Sequence, residues 1–243
     1  MFLNNIKKIS LIIANILAPK TCLYCKEDQK YDYDSFLCQK CFKNLKKIEF
    51  PYCQKCGKEL KSGGAFCFNC KNDKKKKYFS FSRSVFEFEP VLREVIHIFK
   101  YKGYKKVGFW LGKLMSEELE KYKEYNDFDL ILPVPISKRK RSERGFNQSE
   151  ILAKIITENS NKTILLDCVI KIRYTNSQVG LNKEMREINL KDSFKCVSPF
   201  QVKNKRIIII DDVATTLATL NEVSKVLIES GAKEVAGYTL ARE

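Results

Sequence analysis

A chain of 243 residues with 44% hydrophobic and 12% aromatic content is too long for a mini-protein, and it can bury an ordinary core. It fits one medium domain, or a small domain followed by a larger one. Its formal charge of +16 favours polyanionic partners such as nucleic acid, phosphorylated metabolites or an anionic membrane face. The alternative source of that charge is a lysine-rich proteome that uses Lys for solubility.

The first twenty residues, MFLNNIKKISLIIANILAPK, place Lys7 and Lys8 before an apolar run that stops at Pro19. That run, about ten residues, falls far short of the roughly 20 needed to span a bilayer. No small-residue cleavage site follows, and the PKTC ending at Cys22 is a poor lipoprotein box. The expectation for residues 1–20 is an amphipathic helix with Leu3, Ile6, Ile9, Ile13, Ile16 and Leu17 on one face. It packs on the protein itself, and docking to a membrane or partner is the alternative.

Residues 21–72 hold eight of the ten cysteines in four CxxC pairs: Cys22/Cys25, Cys38/Cys41, Cys53/Cys56 and Cys67/Cys70. A CxxC turn points two thiolates at one tetrahedral ion while its amides stabilise the sulfur charge, so two turns complete a four-thiolate zinc site. Gly57, directly after Cys56, suits such a turn. Disulfides would need an oxidising compartment. A redox CxxC usually opens a helix after a buried strand, whereas these four sit among polar, turn-rich residues. The expectation is two structural Zn²⁺ ions, one on Cys22, Cys25, Cys38 and Cys41 and one on Cys53, Cys56, Cys67 and Cys70, with a cross-braced pairing as the alternative. The metal should supply much of this segment's folding free energy. Cys168 and Cys196 stand apart and read as ordinary buried thiols. The lysine run after Cys70 reads as a solvated linker.

From residue 78 short apolar runs alternate with helical periodicity. A strand is expected over 84–89. A helix opens at Pro90, repeats Val91, Val95, Ile98 and Phe99, and stops near Gly103. A second helix carries Trp110, Leu111, Leu114 and Leu119, and a strand over 128–137 is broken by Pro133 and Pro135. A basic loop, KRKRSERG over 138–145, precedes a helix over 147–158. Strands follow over 163–172, 206–211 and 234–241, with a helix over 217–230 ending at Gly231. This alternation argues for an α/β domain over 78–243 built on a mainly parallel sheet. Ligands bind such sheets at the carboxyl ends of the strands, which gathers on one rim the basic loop, the polar segment 174–191 and the stretch DDVATTLAT over 211–219. His97, the only histidine, reads as a packing or surface residue.

That last stretch has a chemical reading. Adjacent Asp211 and Asp212 can accept hydrogen bonds from vicinal sugar hydroxyls or reach a Mg²⁺ ion. Thr215, Thr216 and Thr219 add hydroxyls to the free amides of a helix N-terminus, which favours a phosphate dianion. A plain helix cap would need only one such residue, and five polar groups converge here.

At these residues the chain resembles the 5-phosphoribosyl-1-diphosphate (PRPP) signature of type I phosphoribosyltransferases, an apolar strand followed by D-D-x-x-T-T-G-x-T. ILPVPISKRKRSERGFNQ resembles the P-V-P…R-x-x-R-G-F-N-Q block of the ComF family, competence proteins related to amidophosphoribosyltransferases. RYTNSQVGLNKEMREINLKDSF is similar to that family's next segment through Arg173, Thr175, Gln178, Leu181, Arg186, Asn189 and Phe194. A double zinc ribbon ahead of the transferase-like domain is also the ComF arrangement.

The resemblance implies a type I phosphoribosyltransferase-like fold and a part in natural transformation, handling incoming single-stranded DNA. The expected place is the cytoplasm, at the inner face of the membrane, beside a helicase-like competence ATPase and the membrane uptake machinery. The chain has no Walker A motif of its own, so an ATP-driven step would be a partner's. By family similarity Asp211 and Asp212 face the ribose of PRPP, while Thr215, Thr216 and Thr219, with the neighbouring Ala214 and Ala218, hold its 5-phosphate. Lys138, Arg139 and Arg141 face the diphosphate, with Mg²⁺ accompanying PRPP, and Arg144, Asn147, Gln148, Gln178 and Arg186 complete the rim. An active phosphoribosyltransferase with an unidentified acceptor and a non-catalytic PRPP sensor are the alternatives. Leu217 departs from the motif, standing where the family has a glycine that lets the backbone approach the phosphate.

Overall fold

The computed structural model describes residues 20–29, 35–61, 63–173 and 183–243. The helix expected over the first twenty residues lies outside them, apart from Lys20. A two-strand ribbon, β1 (Lys20–Thr21) with β2 (Asp28–Gln29), is followed by the short helices α1 (Gln39–Lys43) and α2 (Phe68–Asn72). Each short helix opens directly after a cysteine, Cys38 and Cys67, which places the Cys38/Cys41 and Cys67/Cys70 pairs at helix starts.

The larger unit then runs β3 (Ser82–Glu87), α3 (Pro90–Tyr101), α4 (Lys105–Leu119), a 3-10 turn at Lys123–Tyr125, β4 (Leu130–Pro133), α5 (Lys138–Arg144) and α6 (Gln148–Glu158). It continues with β5 (Thr163–Ile164), β6 (Val169–Lys171), α7 (Lys183–Leu190), β7 (Phe194–Cys196), α8 (Pro199–Val202), β8 (Arg206–Ala214), α9 (Ala218–Glu229) and β9 (Glu234–Arg242). Five strands form one wholly parallel sheet in the order β3-β9-β8-β4-β5, the α/β class expected of the alternating pattern.

Period-two alternation along β8 explains how both sheet faces become dry. Ile208 and Ile210 pack with Val95 and Phe99 of α3, Leu111 of α4 and Leu152 of α6. Ile207 and Ile209 pack on the other face with Leu220, Val223 and Leu227 of α9 and Leu190 of α7. The cysteine-rich segment divides between the same two cores. Cys22, Leu37, Cys41 and Leu45 join the α3/α4 side, where the Phe36 and Trp110 rings lie 5.8 Å apart, whereas Cys53 and Cys56 join the α9 side with Phe79.

Three local differences from the sequence reading have physical causes. The basic stretch 138–145 is a helix: the Ser137 hydroxyl accepts from the Lys140 amide at 3.3 Å, and Gly145 ends it at φ 75°. The strand expected over 163–172 divides, because Asp167 turns the chain at φ 58°; its second half pairs antiparallel with β7, outside the main sheet. β8 runs on through both aspartates to Ala214, because β9 continues beside it and pairs Asp211 with Thr239 and Ala214 with Arg242.

Candidate functional site

In the sheet, β4 has β5 on one side and β8 on the other, so the chain leaves β4 in one direction and returns on the other. Such a reversal opens a crevice at the carboxyl ends of the two central strands. Here that crevice is a cavity of about 540 Å³. Its floor is Asp211, Asp212, Thr215 and Thr219, and its walls come from α3, from the β4–α6 connection and from the β6–β7 pair.

The two carboxylates differ in their partners. Asp212 is buried and its Oδ2 lies 2.6 Å from Nζ of Lys100 on α3. Asp211 Oδ1 accepts from the Ser149 hydroxyl and from the Asp212 amide, both at 2.9 Å. Burial pushes the Asp211 carboxyl up to about 7, the Asp212 charge pushes it the same way, and Lys100 and the Ser149 hydrogen bond oppose them. The neighbouring cations show the converse effect. Burial, with help from Lys140, lowers the Lys171 ammonium to about 8, and burial, Arg144 and Lys100 lower Lys140. Lys100, Lys140, Arg144 and Lys171 thus line the same cavity as the acid pair, an arrangement suited to a ligand with several negative charges and a hydroxylated ring.

The residues singled out by sequence separate into groups. Asp211, Asp212, Thr215, Thr219, Arg144 and Gln148 line the cavity. Ala214, Thr216 and Ala218 border a smaller pocket of about 40 Å³ against the loop, together with Leu217. Thr216 Oγ1 accepts from the Ala218 amide at 3.3 Å. Asn147 is buried and holds the β4–α6 joint, donating to the Val134 carbonyl at 3.0 Å and accepting from the Ser149 amide at 3.1 Å. Arg139 pairs with Glu143 and Arg141 with Glu150, and neither they nor Lys138 line the cavity. Gln178 lies outside the described residues, and Arg186 falls within α7. Sequence reasoning missed Lys100, Lys140 and Lys171. For Lys140 a signal existed, since helical spacing sets Ser137, Lys140, Arg141 and Arg144 on one face and turns Arg139 away, while Arg141 is drawn aside by its ion pair with Glu150. His97 is exposed at the cavity mouth, its ring centroid 5.0 Å from that of Tyr101.

Leu217 adopts φ 62° and ψ 13°, the left-handed conformation, immediately before α9, and its side chain is buried in the α9-side core. The loop therefore keeps a backbone shape that favours glycine while carrying a leucine.

The eight paired cysteines form two groups, Cys22, Cys25, Cys38 and Cys41, and Cys53, Cys56, Cys67 and Cys70. All ligand atoms within each group lie within 4.8 Å of one another. Successive pairs share a site, which excludes the cross-braced alternative. The sulfurs of Cys25 and Cys38, and those of Cys56 and Cys67, lie 3.7 Å apart, and none of these cysteines is in a disulfide. Burial raises the Cys22 and Cys53 thiols, but backbone amides from the CxxC turns outweigh it and bring each down to about 7. Cys41 and Cys70 move the opposite way, raised by burial and by the neighbouring sulfurs, so the amides favour one thiolate per group; four converging sulfurs in each group fit a structural Zn²⁺.

The comparisons agree with this geometry. Residues 13–71 match the double zinc ribbon domain family. Competence protein F of Haemophilus influenzae is 31% identical over 228 residues, covering 91% of this chain and 96% of that protein. Competence protein ComFC of Bacillus subtilis is 30% identical over 219 residues, covering 86% and 85%. A double zinc ribbon joined to a parallel α/β domain is thus the class of protein defined here. The chain belongs to the competence protein F (ComF) family. Among solved structures, an allosteric regulatory enzyme of purine biosynthesis aligns at 22% identity and TM-score 0.39, covering 55% of this chain and 26% of that one. A purine phosphoribosyltransferase from Pyrococcus horikoshii aligns at 19% and TM-score 0.33, covering 55% and 84%.

Proposed function

We propose that this protein handles incoming single-stranded DNA during natural transformation and carries a PRPP-binding site in its α/β domain. The observation that supports the ligand is the acid pair Asp211 and Asp212, with Lys100 ion-paired to Asp212, sharing one open cavity with Lys140, Arg144 and Lys171 and the hydroxyls of Thr215 and Thr219. In this reading Asp211 and Asp212 take the ribose hydroxyls, the 213–219 loop takes the 5-phosphate, and the lysines and Arg144 take the diphosphate. Mg²⁺ would arrive with PRPP and neutralise diphosphate charge next to the acid pair. A calorimetric titration tests this: wild type binds PRPP, and Asp212→Ala weakens binding at least tenfold. Equal affinities would refute the assignment.

The DNA part rests on the family's competence role, the net charge of +16, and exposed aromatics on the ribbon. Phe50 and Phe68 are 83% and 81% exposed, and Phe66 is 52% exposed. Exposed rings among lysines stack on bases while the cations follow the backbone. Binding should fall steeply from low to moderate salt, and absence of binding even at low salt would end the idea. No helix among the described residues is long and apolar enough to cross a membrane. The protein would act from the cytoplasm at the inner membrane face, with a helicase-like ATPase and the uptake machinery as partners.

A second reading is an active phosphoribosyltransferase. The Asp211 carboxyl, raised to about 7 by burial and its neighbour, favours it, because such a group holds or gives up a proton near neutral pH. Diphosphate release with and without DNA separates catalysis from binding alone.

A further inference from the structure

Arg242 sits on β9 opposite Ala214, where β8 gives way to the 213–219 loop. Its Nη1 donates to the carbonyl of Ala214 at 2.9 Å and to that of Thr215, and its Nε donates to the carbonyl of Cys56 at 3.3 Å. One guanidinium therefore holds the loop and the second cysteine centre together. A trans peptide is planar, with its C=O and N–H opposed. Fixing the carbonyls of Ala214 and Thr215 consequently aims the amides of Thr215 and Thr216 to the opposite side of the backbone. Donor direction is what an anion-binding loop requires.

The knuckle that presents the Cys56 carbonyl is itself fixed. Gly57, at φ 69°, lies so close to β3 that a Cβ would stand 2.5 Å from the Ser82 carbonyl oxygen. The Ser82 amide donates to the Lys55 carbonyl at 2.9 Å, and Arg83 Nη1 donates to the Gln54 carbonyl at 3.0 Å. Cys53 and Cys56 are buried in the same core as Ala214 and Leu217. A Zn²⁺ on Cys53, Cys56, Cys67 and Cys70 would lock the knuckle whose Cys56 carbonyl holds the Arg242 guanidinium from the ribbon side.

We propose that Arg242 is a positioning residue that couples the second four-cysteine centre to the shape of the 213–219 loop, so that anion binding there depends on metal more than 140 residues away in sequence. The anion part rests on the sugar-phosphate reading above; the coupling does not. With the centre filled, the loop amides stay ordered and receive phosphate. With it emptied, the Cys56 carbonyl shifts, the guanidinium loses the acceptor of its Nε, and the loop opens.

The test is a double-mutant cycle on the full chain with Cys70→Ser, Arg242→Met and both, zinc content being measured for each. The first readout is hydrogen exchange at the Ala218 amide, held by Thr216 Oγ1, and at the Asn221 amide, held by the Leu217 carbonyl. Either single change should speed exchange at least tenfold, the pair should add less than threefold more, and Arg242→Lys should recover part of the protection. Independent, multiplying effects would overturn the coupling. Should Cys70→Ser fail to fold, staged zinc release by a thiol reagent from wild type and Arg242→Met gives the same comparison. The second readout is ribose 5-phosphate titration. Wild type should bind at least tenfold tighter than either variant. If wild type does not bind it, the ligand reading falls while the exchange cycle still decides the coupling.

Discussion

Replacing Leu217 offers a two-sided measurement, because its backbone and its side chain act in opposite directions. Its left-handed φ of 62° costs an L-residue about 1–2 kcal/mol, a penalty glycine escapes. Its side chain is 8% exposed within the α9-side core, and deleting a buried leucine costs about 2–5 kcal/mol. Leu217→Ala removes the packing and keeps the strain, while Leu217→Gly removes both. Both variants should be destabilised, but glycine should exceed alanine by about 1 kcal/mol, which is about 2–4 °C in Tm for a chain of this size. Thermal and denaturant unfolding followed by circular dichroism read this directly. The same residue borders the pocket of about 40 Å³ at the loop, so Leu217→Gly should also tighten ribose 5-phosphate binding while lowering Tm. A glycine variant that melts at or below the alanine variant would refute the strain argument. Unchanged affinity would refute the crowding argument and leave the strain argument standing.

Lys100→Met should destabilise the fold by about 3 kcal/mol, since it leaves the buried Asp212 carboxylate unpaired, and adding Asp212→Asn should recover most of that loss in denaturant melts. The raised Asp211 carboxyl binds a proton in the folded state that the unfolded state, near 3.8, has already lost. Its contribution to stability is therefore full below about 4 and lost as pH rises through about 7, and Asp211→Asn should abolish that slope in melts across this range. Lys140→Ala or Arg144→Ala should weaken PRPP binding tenfold or more, whereas Arg139→Ala and Arg141→Ala should change it less than threefold, as a titration series will show.

Spacing alone revealed the four CxxC pairs, because a CxxC turn is a local device whose geometry travels with four residues, while which pairs share a centre took the folded chain to decide. The acid pair and threonines were legible for a similar reason: an apolar strand running into polar residues marks a strand's carboxyl end. What escaped was whatever depends on orientation or on distant elements. Read as a loop, 138–145 had no faces, so its basic residues looked equivalent; the Ser137 cap and Gly145 make it a helix whose phase turns Arg139 away, and the Glu150 ion pair diverts Arg141, which leaves Lys140 and Arg144 for the cavity. Lys100 lies in the last turn of α3 with nothing local to mark it, and Lys171 belongs to a strand pair outside the main sheet. Neither becomes a site residue until tertiary packing carries it to the carboxylates. The motif could show that Leu217 replaces a glycine, but only the folded chain shows that the left-handed turn survives the replacement.

The division of the cysteine-rich segment between two cores has a consequence for how the molecule can be taken apart. Leu37 and Leu45 seal the flank carrying Trp110, while Cys53 and Cys56 seal the reverse flank beside Phe79. A fragment starting at residue 78 would bare greasy surface on both sides at once and should aggregate when expressed. Ribbon and sheet form an indivisible cassette, and any exchange of parts between relatives must carry the two together.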